Sequence, residues 1–265
     1  MSLTGKTKAS SYKDLLQMNN SNSGIDTTAR VVVDGEGTES AISIADDYLH
    51  VIPKVHDHHS TFIVKDISGN VLFKTDTTNK LVKAGINQDV VNTQYAYFGV
   101  GQVESASFLT NTHHPIPFQS ASFAKGNDIT AFGTGTDPAT SFTTADGANT
   151  LAAALVPVMW RVPDNITIDE IKHFEGADAA SGDTTRMHLM SYTFNSGATG
   201  ALTSGAVIAN TSADNTNAGS EQPYLKDWTI GTANVDAGKV LLCFFRSDSV
   251  NSDYSISVTI KYHLR

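Results

Sequence analysis

The chain has 265 residues, of which 40% are hydrophobic and only 17% charged, and its formal net charge is −9 at pH 7. That size allows one large or two modest folded domains, and the apolar content excludes a chain that is disordered throughout. The acidic balance excludes a surface that wraps a phosphate backbone, since nucleic-acid binding needs clustered Lys and Arg; Lys6, Lys8 and Lys13 read as a solvated tail.

Thr, Ser, Asn, Asp, Gly and Ala are abundant, a bias that suits strands and turns and makes all-β the expected fold class. Residues 1 to about 24 are polar, with one candidate helix of at most two turns: Ser11 caps it, Asp14 follows three positions on, and Tyr12, Leu15, Leu16 and Met18 supply apolar side chains. A helix that short is marginal alone, so its apolar face is expected to dock on something. Arg30–Val33 and the turn Asp34–Gly37, the alternating Ala41–Ala45, and Tyr48–Ile52 before Pro53 complete an extended N-terminal arm, residues 1–55.

Between Thr61 and Gly85, three short β-forming runs are joined by a Ser68-Gly69-Asn70 turn and an Asp76–Asn79 turn. Such a meander buries too little apolar surface to stand alone in water, so residues 56–100 are expected to be a thin shaft made stable by intertwining with other copies. Residues 101–148 are rich in Ser, Thr, Asn, Gly, Asp and Pro, with Phe108, Leu109, Ile116, Phe118, Phe123 and Phe132 as scattered apolar anchors. They read as a neck. From residue 149 to 265 the β-runs lengthen and alternate, as in Tyr254–Leu264, where Ile256, Val258, Ile260 and Tyr262 share one face. An antiparallel β-sandwich of jelly-roll type is expected there. Cys243 lies in an apolar run and reads as a small buried hydrophobe. No apolar run reaches the ~18 residues that span a bilayer, and no apolar signal-peptide core follows Met1–Ala9. No membrane insertion and synthesis in a cytoplasm are therefore expected.

The opening Gly5–Met18, the segment Asp26–Gly35, the Asn70–Asp76 portion of the meander and the ending Asn251–Arg265 together resemble structural proteins of marine tailed phages, of the trimeric fibre or decoration type. The resemblance implies a virion protein assembled in the host cytoplasm. It also implies a homotrimer attached to capsid or tail proteins through its N-terminal arm, with Tyr12, Leu15, Leu16 and Met18 as the attachment side chains. Its C-terminal domain would then point outward. A head decoration protein of the same build is the alternative to a fibre, and the copy number per particle separates the two.

His56-Asp57-His58-His59 is the cluster with a metal-like pattern. In an extended segment His56 and His58 point the same way, and three copies around an axis would surround one ion with six imidazoles; the other reading is a polar loop after Pro53. The expectation is no cofactor. A glycan hydrolase needs two carboxylates roughly 5 to 10 Å apart in a cleft. Asp169, Glu170, Glu175, Asp178 and Asp183 are close in sequence but lie in a strand and a Gly/Ala-rich loop, and no nucleophile-elbow, phosphate-loop or zinc-hydrolase motif is present. A tailspike-like enzyme is the least favoured reading, so the protein is expected not to be an enzyme. Tyr192, Tyr224 and Trp228 are candidate aromatic platforms for a host receptor or glycan, or else sandwich core.

Overall fold

The computed structural model describes residues 15–21, 23–85, 87–103, 109–119, 131–146, 150–177, 181–217, 222–249 and 254–265. Its regular structure is almost entirely β and every strand pairing is antiparallel, as the composition predicts. The chain divides into two compact units, Met1–Val91 and Asn92–Arg265. Among the described residues no helix is long and apolar enough to cross a membrane.

The first unit contains two four-stranded sheets whose strands follow one another in chain order. One comprises β1 (Gln17–Met18), β2 (Arg30–Val33), β3 (Glu39–Ile44) and β4 (Leu49–Val51); the other comprises β5 (Phe62–Lys65), β6 (Val71–Asp76), β7 (Leu81–Ala84) and β8 (Asp89–Val90). The helix expected over Ser11–Met18 is not continued here: Gln17 and Met18 pair with Val33 and Val32, and Ser11–Asp14 lie outside the described residues. Two turns of helix carry a nucleation cost that one exposed apolar stripe does not repay, whereas the ladder of β2 satisfies the same backbone groups.

One turn is built twice. Asp34 and Asp66 each accept, on Oδ1, the backbone N–H groups two and four residues on, and Gly37 and Gly69 close the turns at φ 87°. A side chain at that φ is strained, so glycine belongs there. These bonds hold both carboxyls below the ordinary Asp value: the backbone N–H of Thr38 dominates for Asp34, and the side-chain amide of Asn70 for Asp66.

The second unit holds two larger sheets. The first runs β10 (His114–Pro115), β19 (Val240–Ser247), β13 (Thr184–Phe194), β14 (Leu202–Asn210), β17 (Thr229–Ile230), with β11 (Trp160–Arg161) on β19 and β15 (Asn215–Thr216) on β13. The second runs β16 (Tyr224–Asp227), β12 (Ile166–Ala177), β20 (Tyr254–Leu264), β9 (Thr93–Val103), with β18 (Asn234–Val235) on β12. Met187 and Leu189 of β13, Leu241, Cys243 and Phe245 of β19, Ile166, Ile168 and Ile171 of β12, and Ile256, Val258 and Ile260 of β20 belong to one buried cluster, so the two sheets pack as layers.

The expected shaft and neck boundaries do not hold. Residues 93–103, placed at the end of the shaft, form β9 and pair along β20. The described parts of the neck, 109–119 and 131–146, lie on the second unit instead of linking two bodies. His114 and Pro115 pair with Phe245 and Phe244; Phe132 and Phe142 join Leu155 of the short helix α1 (Ala152–Leu155) and Val158. That second cluster covers the other face of the β13–β19 sheet through Met190, Tyr192, Val240, Leu242 and Phe244. The run Val240–Phe245 is continuously apolar because it is buried on both faces.

Val258 is fully buried and its neighbour Ser257 is exposed. Val258→Asp therefore places an unpaired carboxylate between the sheets, at a cost of roughly several kcal/mol against a domain stability of about 5 to 15 kcal/mol. Urea denaturation should find Val258→Asp unfolded or nearly so and Ser257→Asp close to wild type.

Candidate functional site

In the first unit, Leu15 and Leu16 are 48% and 69% exposed, Met18 is half-buried in β1, and Tyr12 lies outside the described residues. These attachment candidates therefore present apolar surface to solvent from an extended segment. His56 and His58 are exposed on the loop before β5, and the Nδ1 of His58 already accepts the N–H of Ser60. Among the described residues no group of three or more His, Cys, Asp or Glu side chains gathers closely enough to hold a metal ion. The neighbouring His59 supports a turn: its Nδ1 lies 3.2 Å from the buried Asp76 carboxylate, which also accepts the backbone and side-chain N–H groups of Asn79. Burial raises the Asp76 pKa, but the Asn79 bonds and the His59 ring outweigh it and hold the carboxyl at about 2.

The most developed polar site lies in the second unit and follows from a bulge. Pairing of β12 with β20 slips by one residue at Asp169, between Ile168 opposite Tyr262 and Glu170 opposite Lys261. Before the bulge Ile166 and Ile168 point inward; after it Ile171, His173 and Glu175 do, while Phe174 is left 60% exposed. A one-residue slip exchanges the two faces of a strand, so this bulge carries an imidazole and a carboxylate into the interior. The extra residue is tied down by the ring of His263, whose Nδ1 is 2.9 Å from both Asp169 oxygens.

Inside, the Trp228 indole donates to His173 Nδ1 at 2.8 Å, which leaves the proton of the neutral ring on Nε2, 3.4 Å from Glu175 Oε2. The Thr185 hydroxyl spans the Glu175 carboxylate at 2.8 and 2.9 Å, and Asn215 Nδ2 donates to Oε1 at 3.3 Å. His173 and Glu175 are both 1% exposed. These groups floor a cleft of about 160 Å³ whose rim carries Asp214, Asp227 and Lys226. Each contact joins separate parts of the fold, so the arrangement fixes β12 to β13, to β15 and to Trp228, which lies between β16 and β17.

The other expected site residues are dispersed. Tyr192 is fully buried in the second cluster with its hydroxyl donating to Ala139 O at 2.7 Å, and burial pushes its pKa upward. Trp228 is buried against His173. The platform role expected for these two does not hold, because each faces the interior. Tyr224 alone sits at a sheet edge, half-buried, with Lys226 Nζ 5.4 Å from its ring centroid. Of the clustered carboxylates, Asp169 meets His263, Glu170 pairs with Lys172 at 2.7 Å, Glu175 is in the buried network, and Asp183 accepts from Tyr254; Asp178 lies outside the described residues. The sequence reading missed the His173, Thr185 and Asn215 partnership because those residues come from three strands.

No protein-family model and no curated protein matches this chain.

Glu175→Gln keeps the shape of the side chain but turns one acceptor into an N–H₂ group, which then faces either the His173 Nε2–H or the Asn215 amide. Leaving a buried donor unpaired costs about 1–3 kcal/mol. Urea unfolding should show that loss for Glu175→Gln and almost none for Asp227→Asn at the rim.

Proposed function

We propose that the protein is a structural component of a bacteriophage virion, a homotrimeric fibre-type protein held to the particle by its N-terminal arm. The observation that supports this reading most is the lack of a core in the first unit. Among its described residues only Val33 and Ala45 are buried apolar side chains. Leu15, Leu16, Ile42, Tyr48, Leu49, Ile52, Phe62, Ile63, Val64, Leu72 and Val82 are all exposed. Strand β5 exposes apolar groups on both faces, Phe62 and Val64 on one and Ile63 on the other. Sheets of this kind gain stability when further copies cover them, and trimerisation is the arrangement that the resemblance to phage fibres implies.

In this reading residues 1–24 engage a capsid or tail protein, and the C-terminal unit presents loops and the edge residue Tyr224 to a host receptor or glycan. Around a trimer axis the exposed His56 and His58 of three copies would form the six-imidazole arrangement described above. The same build anchored to the head is a decoration protein, and quantifying the chain against the major capsid protein in purified virions separates hundreds of copies from about tens.

Sedimentation equilibrium of the isolated protein should give a trimer; a well-folded monomer at micromolar concentration contradicts the proposal. Deleting residues 1–24 should leave the trimer intact and abolish incorporation into particles, and normal incorporation of the truncated chain places the anchor elsewhere.

A further inference from the structure

The second face of the β13–β19 sheet is covered in part by the stretch 131–146, and a histidine pair lies in the seam between that stretch and the sheet. His188 of β13 and His113, which leads into the edge strand β10, are both 0% exposed, with ring centroids 4.9 Å apart and planes at 81°. Among the described residues, neither ring nitrogen of His188 has a hydrogen-bond partner, and His113 Nδ1 has none. The His113 ring is held through Nε2, 3.0 Å from Gly135 O, and by the Thr136 backbone. The backbone around it closes the seam: His113 N–H donates to Gly133 O and Phe132 N–H to His113 O.

The charged groups facing the pair come from every element packed on it. Arg186 of β13 and Arg246 of β19 are cations, paired respectively with Asp214 at 3.3 Å and with the Asn111 carbonyl and side chain. The covering stretch offers Asp137, whose Oδ1 is 3.4 Å from His188 Nε2 but misaligned for a hydrogen bond and whose side chain is 59% exposed. His114, next in the chain, is occupied in accepting the Leu109 N–H. A proton arriving on His188 thus meets a second imidazole and two guanidinium groups, and one arriving on His113 meets Arg246, with the solvated Asp137 carboxylate in compensation.

We propose that this seam is an acid-released cover: protonation of the buried His113–His188 pair frees the covering stretch 131–146 and bares the apolar face of Met190, Tyr192, Leu242 and Phe244. Release requires that the closed state bind protons less readily than the open one. Burial, then the neighbouring His113, Arg186 and Arg246, hold His188 down to about 3, and burial also lowers His113. Both folded values are depressed, so the closed form has its full stability above the ordinary histidine value of ~6.5 and loses it as pH falls toward 3. Release of the cover involves one chain only and is therefore independent of the virion reading.

Amide hydrogen exchange of the intact protein between pH 7 and pH 4, corrected for intrinsic rates, tests it. The amides of Phe132 and His113 should open roughly tenfold or more at pH 4, while those of β12 and β20 keep their protection. His188→Leu, which cannot titrate, should keep the seam closed at pH 4. Asp137→Asn, an exposed change that spares the core, should move opening by a fraction of a pH unit, since it removes the one carboxylate near the pair. The proposal is overturned if the wild-type seam amides are as protected at pH 4 as at pH 7, or if both variants open where the wild type does; the wild-type measurement decides alone should His188→Leu not fold.

Discussion

A β-sheet has two faces, and an apolar face in water must be covered by another layer. In the C-terminal unit this requirement is met twice over. The sheet carrying β13 and β19 shares one cluster with the β12–β20 sheet and a second with residues of 131–146 and 150–159, so Val240–Phe245 is buried on both sides. The N-terminal unit meets the same requirement with far less: its two sheets bury Val33 and Ala45 and leave whole strands such as β5 with apolar side chains in solvent. At about 25 cal/mol per Å² of apolar surface removed from water, those faces are the part of the chain with most to gain from further copies or a partner.

The polar interior depends on one local irregularity. Without the bulge at Asp169, the alternation of β12 would continue and bring Phe174 inward in place of His173 and Glu175. With it, the imidazole reaches the Trp228 indole, and the carboxylate gathers Thr185 and Asn215. A buried network of this kind is stable only when every member is satisfied, and here each of these donors has its acceptor. The His113–His188 seam is the opposite case, a buried polar pair left largely without partners.

Much of this was legible in the residues. Composition and alternation pointed to the all-β class, and the turns at Gly37 and Gly69 stand where Asp-x-x-Gly places them. The inward set Ile256, Val258, Ile260 and Tyr262 is also as the pattern predicts, and His263 on the opposite face meets Asp169. What the pattern could not show was long-range pairing. Thr93–Val103 looks like the end of a meander until β20, far along the chain, supplies its neighbour. The Ser/Thr/Gly-rich stretch after it has too few apolar residues to signal a layer, yet Phe132 and Phe142 suffice to pin one, and Ile116 joins the core between the sheets. Tyr192 and Trp228 looked like platforms because aromatic residues near polar loops carry no mark of which way they face.

The proposed assembly requires that the first unit owe its order to surfaces supplied from outside it, whereas the second carries its own core. Hydrogen exchange of the full chain across a dilution series, with the oligomeric state measured by mass photometry at each concentration, tests this most directly. The account predicts that amides of β2–β8 lose protection as the assembly dissociates while those of β12, β13, β19 and β20 stay protected throughout. Equal protection of β2–β8 in assembled and dissociated protein would contradict it.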